Sequence, residues 1–111
     1  MLHHVTFRVT VPLNTNDGGE VSAAMLDHYV KTAIDIAGGC TFHPEAQGYW
    51  ESNGRLYCDR VRVLEIMVKR SDAVYTAHRV GQLAKRIANE LNQECVLVTR
   101  SDCSAAFVEP S

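Results

Sequence analysis

The feature that most constrains this chain is a stripe of apolar residues at Ala73, Ala77, Val80, Ala84, Ile87 and Leu91, spaced 4, 3, 4, 3 and 4. That period predicts one helix, opened by Ser71 or Asp72 and apolar along a single face. A helix of this kind has to cover a sheet or another helix. Strand-like segments flank it, Val61 to Val68 before and Cys95, Val96, Leu97 and Val98 after. The helix is therefore expected to lie on a sheet.

The rest of the chain supplies the other layers. Val5, Phe7, Val9 and Val11 alternate with His4, Thr6, Arg8 and Thr10, the pattern of a half-buried strand. After a polar, glycine-rich loop (Asn14, Asn16, Asp17, Gly18, Gly19), Ser22 caps a second helix whose stripe runs Leu26, Tyr29, Val30, Ala33, Ile36, Ala37. Gly38 and Gly39 end it. Thr41 to His43 is short and extended, Pro44 blocks a long helix, and Ser52-Asn53-Gly54 is a turn signal between GYWE and RLYC. A hairpin or meander should follow, ending in the strand Val61 to Val68, and Ala105 to Val108 can add a short edge strand before Pro110.

The order is β, α, β-hairpin, β, α, β. Two β-α-β units so arranged predict an α+β fold, a ferredoxin-like βαββαβ sandwich with an antiparallel sheet and both helices on one face. With 111 residues this is a single domain, residues 1–111, with a thin core. Val61 and Val63 share one parity while Leu64, Ile66 and Val68 share the other. Either both faces of that strand are covered or a bulge near Leu64 shifts the register. Covered faces imply a homo-oligomer packed sheet against sheet.

Composition narrows the function classes. Eleven basic and thirteen acidic residues give a net charge of −2 and a pI near 6.2, too weak a field to favour nucleic acid or an anionic membrane. The run Arg55, Arg60, Arg62, Lys69, Arg70 lacks the aromatic pair of an RNA-binding sheet, and a solvated strand face accounts for it. No apolar run approaches the roughly 20 residues of a membrane span, and MLHHVTFRVTVPL has no signal-peptide core, so a cytosolic protein is expected. Cys40, Cys58, Cys95 and Cys103 contain no CxxC pair and read as free thiols. His3, His4, His28, His43 and His78 show no ligand spacing, so no metal site is expected. GxGxxG, GxxxxGK[ST] and GxSxG are all missing, which removes the usual nucleotide-cradle and serine-hydrolase readings.

Two glutamates stand among strand residues: Glu65 between Leu64 and Ile66, and Glu94 at the start of the last strand. They are either solvated edge residues or a pair of carboxylates able to hold a cationic ligand or exchange protons. Tyr57 shares the parity of Glu65 along an unbroken strand; it is either a packed hairpin tyrosine or part of the same site. Tyr49 and Trp50 are either a core or interface anchor or a stacking surface for a purine ring.

The stretch IANELNQECVLVTRS, Ile87 to Ser101, resembles the helix end and strand of the bacteriophage S-adenosylmethionine lyases, formerly described as hydrolases. In that family a helix leads into a Gln-acid-Cys-Val-Leu-Val strand, here Gln93 to Val98. Similarity continues more weakly back through EIMVKRSD and the helix after it. The resemblance implies an enzyme that cleaves S-adenosylmethionine to 5′-methylthioadenosine and homoserine lactone, without metal or cofactor, at sites between subunits of a homotrimer. It implies catalytic roles for Glu65, Glu94 and Tyr57 and substrate binding by Gln93; Tyr49 or Trp50 is the adenine contact expected from the aromatic pair itself. The setting would be the cytoplasm of an infected bacterium. The competing expectation is a non-enzymatic ferredoxin-like oligomer that binds a nucleotide-like ligand or a host protein, with both glutamates at a subunit interface.

Overall fold

The computed structural model describes residues 4–102 and 105–110. His4–Pro12 forms β1, Ala23–Ala37 α1, Thr41–Phe42 β2, Ala46–Ser52 β3, Arg55–Lys69 β4, Ala73–Glu90 α2, Val96–Arg100 β5 and Ala105–Val108 β6. The described strands make one sheet in the order β2-β4-β1-β5-β6, and β3 pairs with the outer half of β4. Every pairing is antiparallel. Both helices bury their apolar stripes in one core against the inward residues of β1 and β4. This is the ferredoxin-like α+β sandwich that the order of elements predicts.

Local chemistry explains the boundaries. The Ser22 hydroxyl accepts the Met25 N–H at 3.2 Å at the start of α1. Gly38 ends the helix with φ +81°, a left-handed conformation that costs glycine little. The turn between β3 and β4 is Asn53-Gly54, with φ +53° and +76°. Positive φ at both central residues matches the right-handed twist of the paired strands. At the end of α2, Asn92 takes φ +54°, while the N–H of Asn92 reaches Asn89 O at 3.4 Å and that of Gln93 reaches Ala88 O at 2.9 Å. These two bonds satisfy carbonyls that the helix leaves open.

Two strand boundaries differ from the sequence expectation, and one open alternative is decided. The hairpin strand RLYC and the strand Val61 to Val68 are one 15-residue strand, Arg55–Lys69. No bulge interrupts it at Leu64, because pairing with β1 runs without a break from His4↔Lys69 to Pro12↔Val61. Asp72 opens α2 from its N-cap position, as expected, without a side-chain bond, and a short turn of 3-10 helix at Arg70–Asp72 precedes it. The last long strand begins at Val96, so Cys95 and Glu94 precede it. Cys40, Cys58 and Cys95 are free thiols, and Cys103 lies outside the described residues.

The unbroken register decides what each face carries. Val5, Phe7, Val9 and Val11 of β1 face the helices together with Leu64, Ile66 and Val68 of β4, and all seven are buried. Each contributes about 1.5–3 kcal/mol by leaving water. The opposite parity, Thr6, Arg8 and Thr10 beside Val61, Val63, Glu65 and Met67, forms the open face of the sheet. Beyond the core, the hairpin of β3 and outer β4 continues as an arm. On it Tyr49, Trp50 and Leu56 are 62%, 51% and 66% exposed.

One polar contact ties the helices together. The buried Tyr29 donates its hydroxyl to Glu90 Oε1 at 2.8 Å, and Arg86 Nε donates to Glu90 Oε2 at 3.1 Å. Burial raises the Glu90 pKa, but the bonds from Tyr29 and Arg86 outweigh it and hold the carboxyl below its ordinary value. Burial, reinforced by Glu90, pushes the Tyr29 phenol well above its own.

Stability should respond unevenly to substitution. Ile87→Ala empties fully buried space and should cost about 2–5 kcal/mol in urea unfolding. Val74→Ala, at a side chain 86% exposed, should stay within about 0.5 kcal/mol. Tyr29→Phe should cost about 1–2 kcal/mol at pH 7, the lower part of the range for a bond to a charged group, since Glu90 remains 37% exposed. Because the folded pKa of Glu90 is depressed, its contribution is present above the unfolded value and fades as pH falls through the folded one. Thermal unfolding of the wild type and Tyr29→Phe should accordingly converge in the acid range below the ordinary carboxyl pKa.

Candidate functional site

Strand register builds a polar row across the open face. Arg8 of β1 pairs with Glu65 of β4 on one side and Thr99 of β5 on the other, and Thr41 of β2 pairs with Glu65 from the far side. Residues directly opposite on neighbouring strands share a face. Arg8 Nε donates to Glu65 Oε1 at 2.9 Å, and His43 Nε2 lies 3.2 Å from the same oxygen. Glu65 is the most enclosed of the three, with its side chain 21% exposed against 49% for Arg8 and 44% for His43. The second oxygen, Oε2, has no partner among the described residues.

The backbone around His43 is held from several sides. Its N–H bonds to Val63 O at 2.8 Å, and its carbonyl accepts Arg62 Nε at 2.8 Å. Arg62 also reaches Phe42 O at 3.3 Å and stacks over the Phe42 ring at 3.8 Å. The next turn of chain is fixed by Glu45, whose two oxygens accept Arg60 Nη2 at 2.8 Å and Nε at 3.0 Å. The Arg60 bond and charge hold the Glu45 carboxyl below its ordinary pKa despite partial desolvation. A cavity of about 250 Å³ opens here, lined by Leu13, Glu20, Val21, Leu26, Glu45, Arg60 and Arg62.

A single chain does not gather the other sequence candidates around Glu65. Glu94 is exposed in the bend before β5. It lies beyond Val96, itself three strand residues or about 10 Å from the Thr99 row, and has no partner among the described residues. Gln93 serves the fold, since Nε2 donates to Asn14 O at 3.3 Å and to Leu91 O at 3.2 Å. These bonds tie the end of α2 to the loop after β1. Tyr57 shares the face of Glu65, as its parity predicts, but eight strand residues place it about 27 Å away. It stacks on Trp50 with centroids 4.4 Å apart and planes 15° apart. Trp50 Nε1 donates to Asp59 Oδ2 at 2.8 Å. The expected Tyr49–Trp50 stacking surface does not form, because consecutive strand residues point to opposite faces. Trp50 sits opposite Tyr57, and Tyr49 opposite Cys58.

Arg8 and His43 are the site residues that sequence reasoning missed. Alternation places Arg8 on the open face, yet nothing in linear spacing joins it to a glutamate 57 positions away. His43 follows a two-residue strand too short to carry a periodic signal.

No protein-family model matches the chain, and a comparison with curated proteins gives no match. Solved structures do match. A phage SAM lyase in complex with S-methyl-5′-thioadenosine superposes with a TM-score of 0.69 at 18% identity, over 96% of this chain and 90% of that one. A phage SAM lyase in the apo state gives 0.68, also at 18% identity and with the same coverage. The divalent cation tolerance protein CutA1 from Thermus thermophilus gives 0.57 at 13% identity, over 87% of this chain and 81% of that one. At these identities the likeness establishes the fold, shared nearly end to end with the phage lyase.

Gln93→Ala tests the structural role of that side chain. Losing the link to Asn14 should lower unfolding stability by about 1 kcal/mol, measured by urea denaturation.

Proposed function

We propose that this protein is an S-adenosylmethionine lyase that releases 5′-methylthioadenosine and homoserine lactone. The observation that carries the reading is the near full-length likeness to a phage SAM lyase captured with S-methyl-5′-thioadenosine. The resemblance of Gln93 to Val98 to the lyase motif supports it independently.

The chemistry asks little of side chains. The substrate's carboxylate oxygen attacks its own γ-carbon, an O–C bond forms, the C–S bond breaks, and the electron pair leaves on sulfur as neutral methylthioadenosine. A sulfonium leaves readily, so neither a general acid nor a metal is required. What the reaction needs is a folded substrate: an attacking oxygen held about 3–3.5 Å from carbon, in line with sulfur, can supply several kcal/mol of the barrier. Carboxylate and sulfonium lose their charges together, so a dry pocket favours the transition state further. A carboxylate pressed against the sulfonium would stabilise the ground state instead. Glu65 or Glu94 is therefore assigned to the α-ammonium group, Tyr57 and Gln93 to the polar ends of the substrate, and the arm aromatic Trp50 or Tyr49 to the adenine.

Glu65, Glu94 and Tyr57 lie too far apart on one chain to share a small ligand, so the site belongs to an assembly, taken here as a homotrimer. The open face, with Val61 and Val63 half-buried and Met67 exposed, and an arm exposed on both sides supply surface for it. No helix of the described residues is long and apolar enough to cross a membrane. The proposed setting is the cytoplasm of an infected bacterium, where consuming a methyl donor would disarm methylation-dependent host systems.

Incubation of purified protein with S-adenosylmethionine, with products resolved by chromatography, tests the reading. Lactone with methylthioadenosine is expected; direct formation of homoserine would make the enzyme a hydrolase, and unchanged substrate with ligand-induced thermal stabilisation would leave only a binding protein. Glu65→Gln and Glu94→Gln should each keep the oligomer and lose most turnover. Full activity in both would overturn the assignment.

A further inference from the structure

We infer that Glu65, of the two glutamates, meets the α-ammonium group of the substrate and that Arg8 and His43 are positioning residues that act through it, orienting its second oxygen, Oε2, toward that group; this rests on the lyase reading above. Both contacts fall on the same atom: Arg8 Nε at 2.9 Å and His43 Nε2 at 3.2 Å from Oε1. With Oε1 held by Arg8 of β1 and by His43 just after β2, the swing of the carboxylate is restricted, and Oε2 is the acceptor without a partner among the described residues. An unheld glutamate would sample several rotamers, and each would swing the bound ammonium away from the geometry that folds the substrate.

The anchoring runs deeper than the pair. His43 is itself fixed by Val63 O and by Arg62, whereas Arg8 stands on the central strand, paired on both sides.

The test compares two ligands on the assembled protein. S-adenosylmethionine carries the ammonium group; 5′-methylthioadenosine does not. Arg8→Ala and His43→Ala should each lower kcat/KM for S-adenosylmethionine by about tenfold, as expected for displacing a positioned group, and leave the affinity for 5′-methylthioadenosine unchanged. His43→Gln, which keeps a donor at the same reach, should recover most of the loss. In a Glu65→Gln background neither alanine variant should cost more, because residues acting through one group are not additive. Arg8→Lys, which retains the cation, provides the reading if Arg8→Ala fails to assemble: its loss should be smaller than that of His43→Ala and equally absent in Glu65→Gln. Equal weakening of both ligands, or losses that add to that of Glu65→Gln, would overturn the inference while leaving the lyase intact, as would variants as active as the wild type. A wild type that neither binds nor cleaves S-adenosylmethionine would overturn both.

Discussion

The structure depends on the pairing of β1 with β4. Nine consecutive residue pairs, from His4↔Lys69 to Pro12↔Val61, lock the two central strands so that every second residue faces the helices and the rest face outward. A slip of β1 by one residue would put Arg8 into the core and Val9 into water, and a slip of β4 would do the same to Glu65 and Leu64. The burial of Val5, Phe7, Val9, Val11, Leu64, Ile66 and Val68 therefore specifies the register. The polar row on the other face is a consequence of the same register. Arg8 meets Glu65 because Phe7 meets Ile66 and Val9 meets Leu64.

A second consequence is the arm. β4 runs for 15 residues in a molecule 41 Å along its longest axis, and the helices cover only its inner half. Its outer part, residues 55–59, pairs with β3 alone, and this ribbon carries Trp50 and Tyr49 of β3 and Tyr57 and Leu56 of β4 in positions that a lone subunit does not bury. An isolated two-stranded ribbon is marginal in water, and exposed apolar side chains concentrated on one invite coverage. The ion pair of Arg60 with Glu45 and the hydrogen bonds of Arg62 to the carbonyls of Phe42 and His43 join the base of the arm to the segment that delivers His43 to Glu65. Arm and polar row are thus mechanically connected through residues 42–45.

Much of this was legible in the linear chain. The stripe of α2, the alternation of β1, the Ser22 cap, the Gly38 stop and the Asn53-Gly54 turn are all short-range signals, and each reappears in the structure. The continuity of β4 was harder to see. Val61 to Val68 carries apolar residues on both parities, a pattern equally compatible with a bulge, and only the partner strands distinguish the two. Glu65 stood out as a carboxylate among apolar strand residues. The same reasoning placed Glu94 at a strand start, yet the strand begins two residues later because Asn92 and Gln93 are still closing the helix.

The sequence by itself determined the order and type of elements and which residues of β1 and α2 face the core. Periodicity and capping act within a few residues and need no knowledge of distant chain. Only the tertiary structure decided that Arg8 and His43 converge on one oxygen of Glu65, that Trp50 stacks on Tyr57 rather than beside Tyr49, and that the acidic candidates of one chain stand apart. Such contacts join residues 57 and 22 positions apart in sequence. They arise from strand order and register, which the burial of the whole apolar face selects cooperatively and which no local pattern encodes.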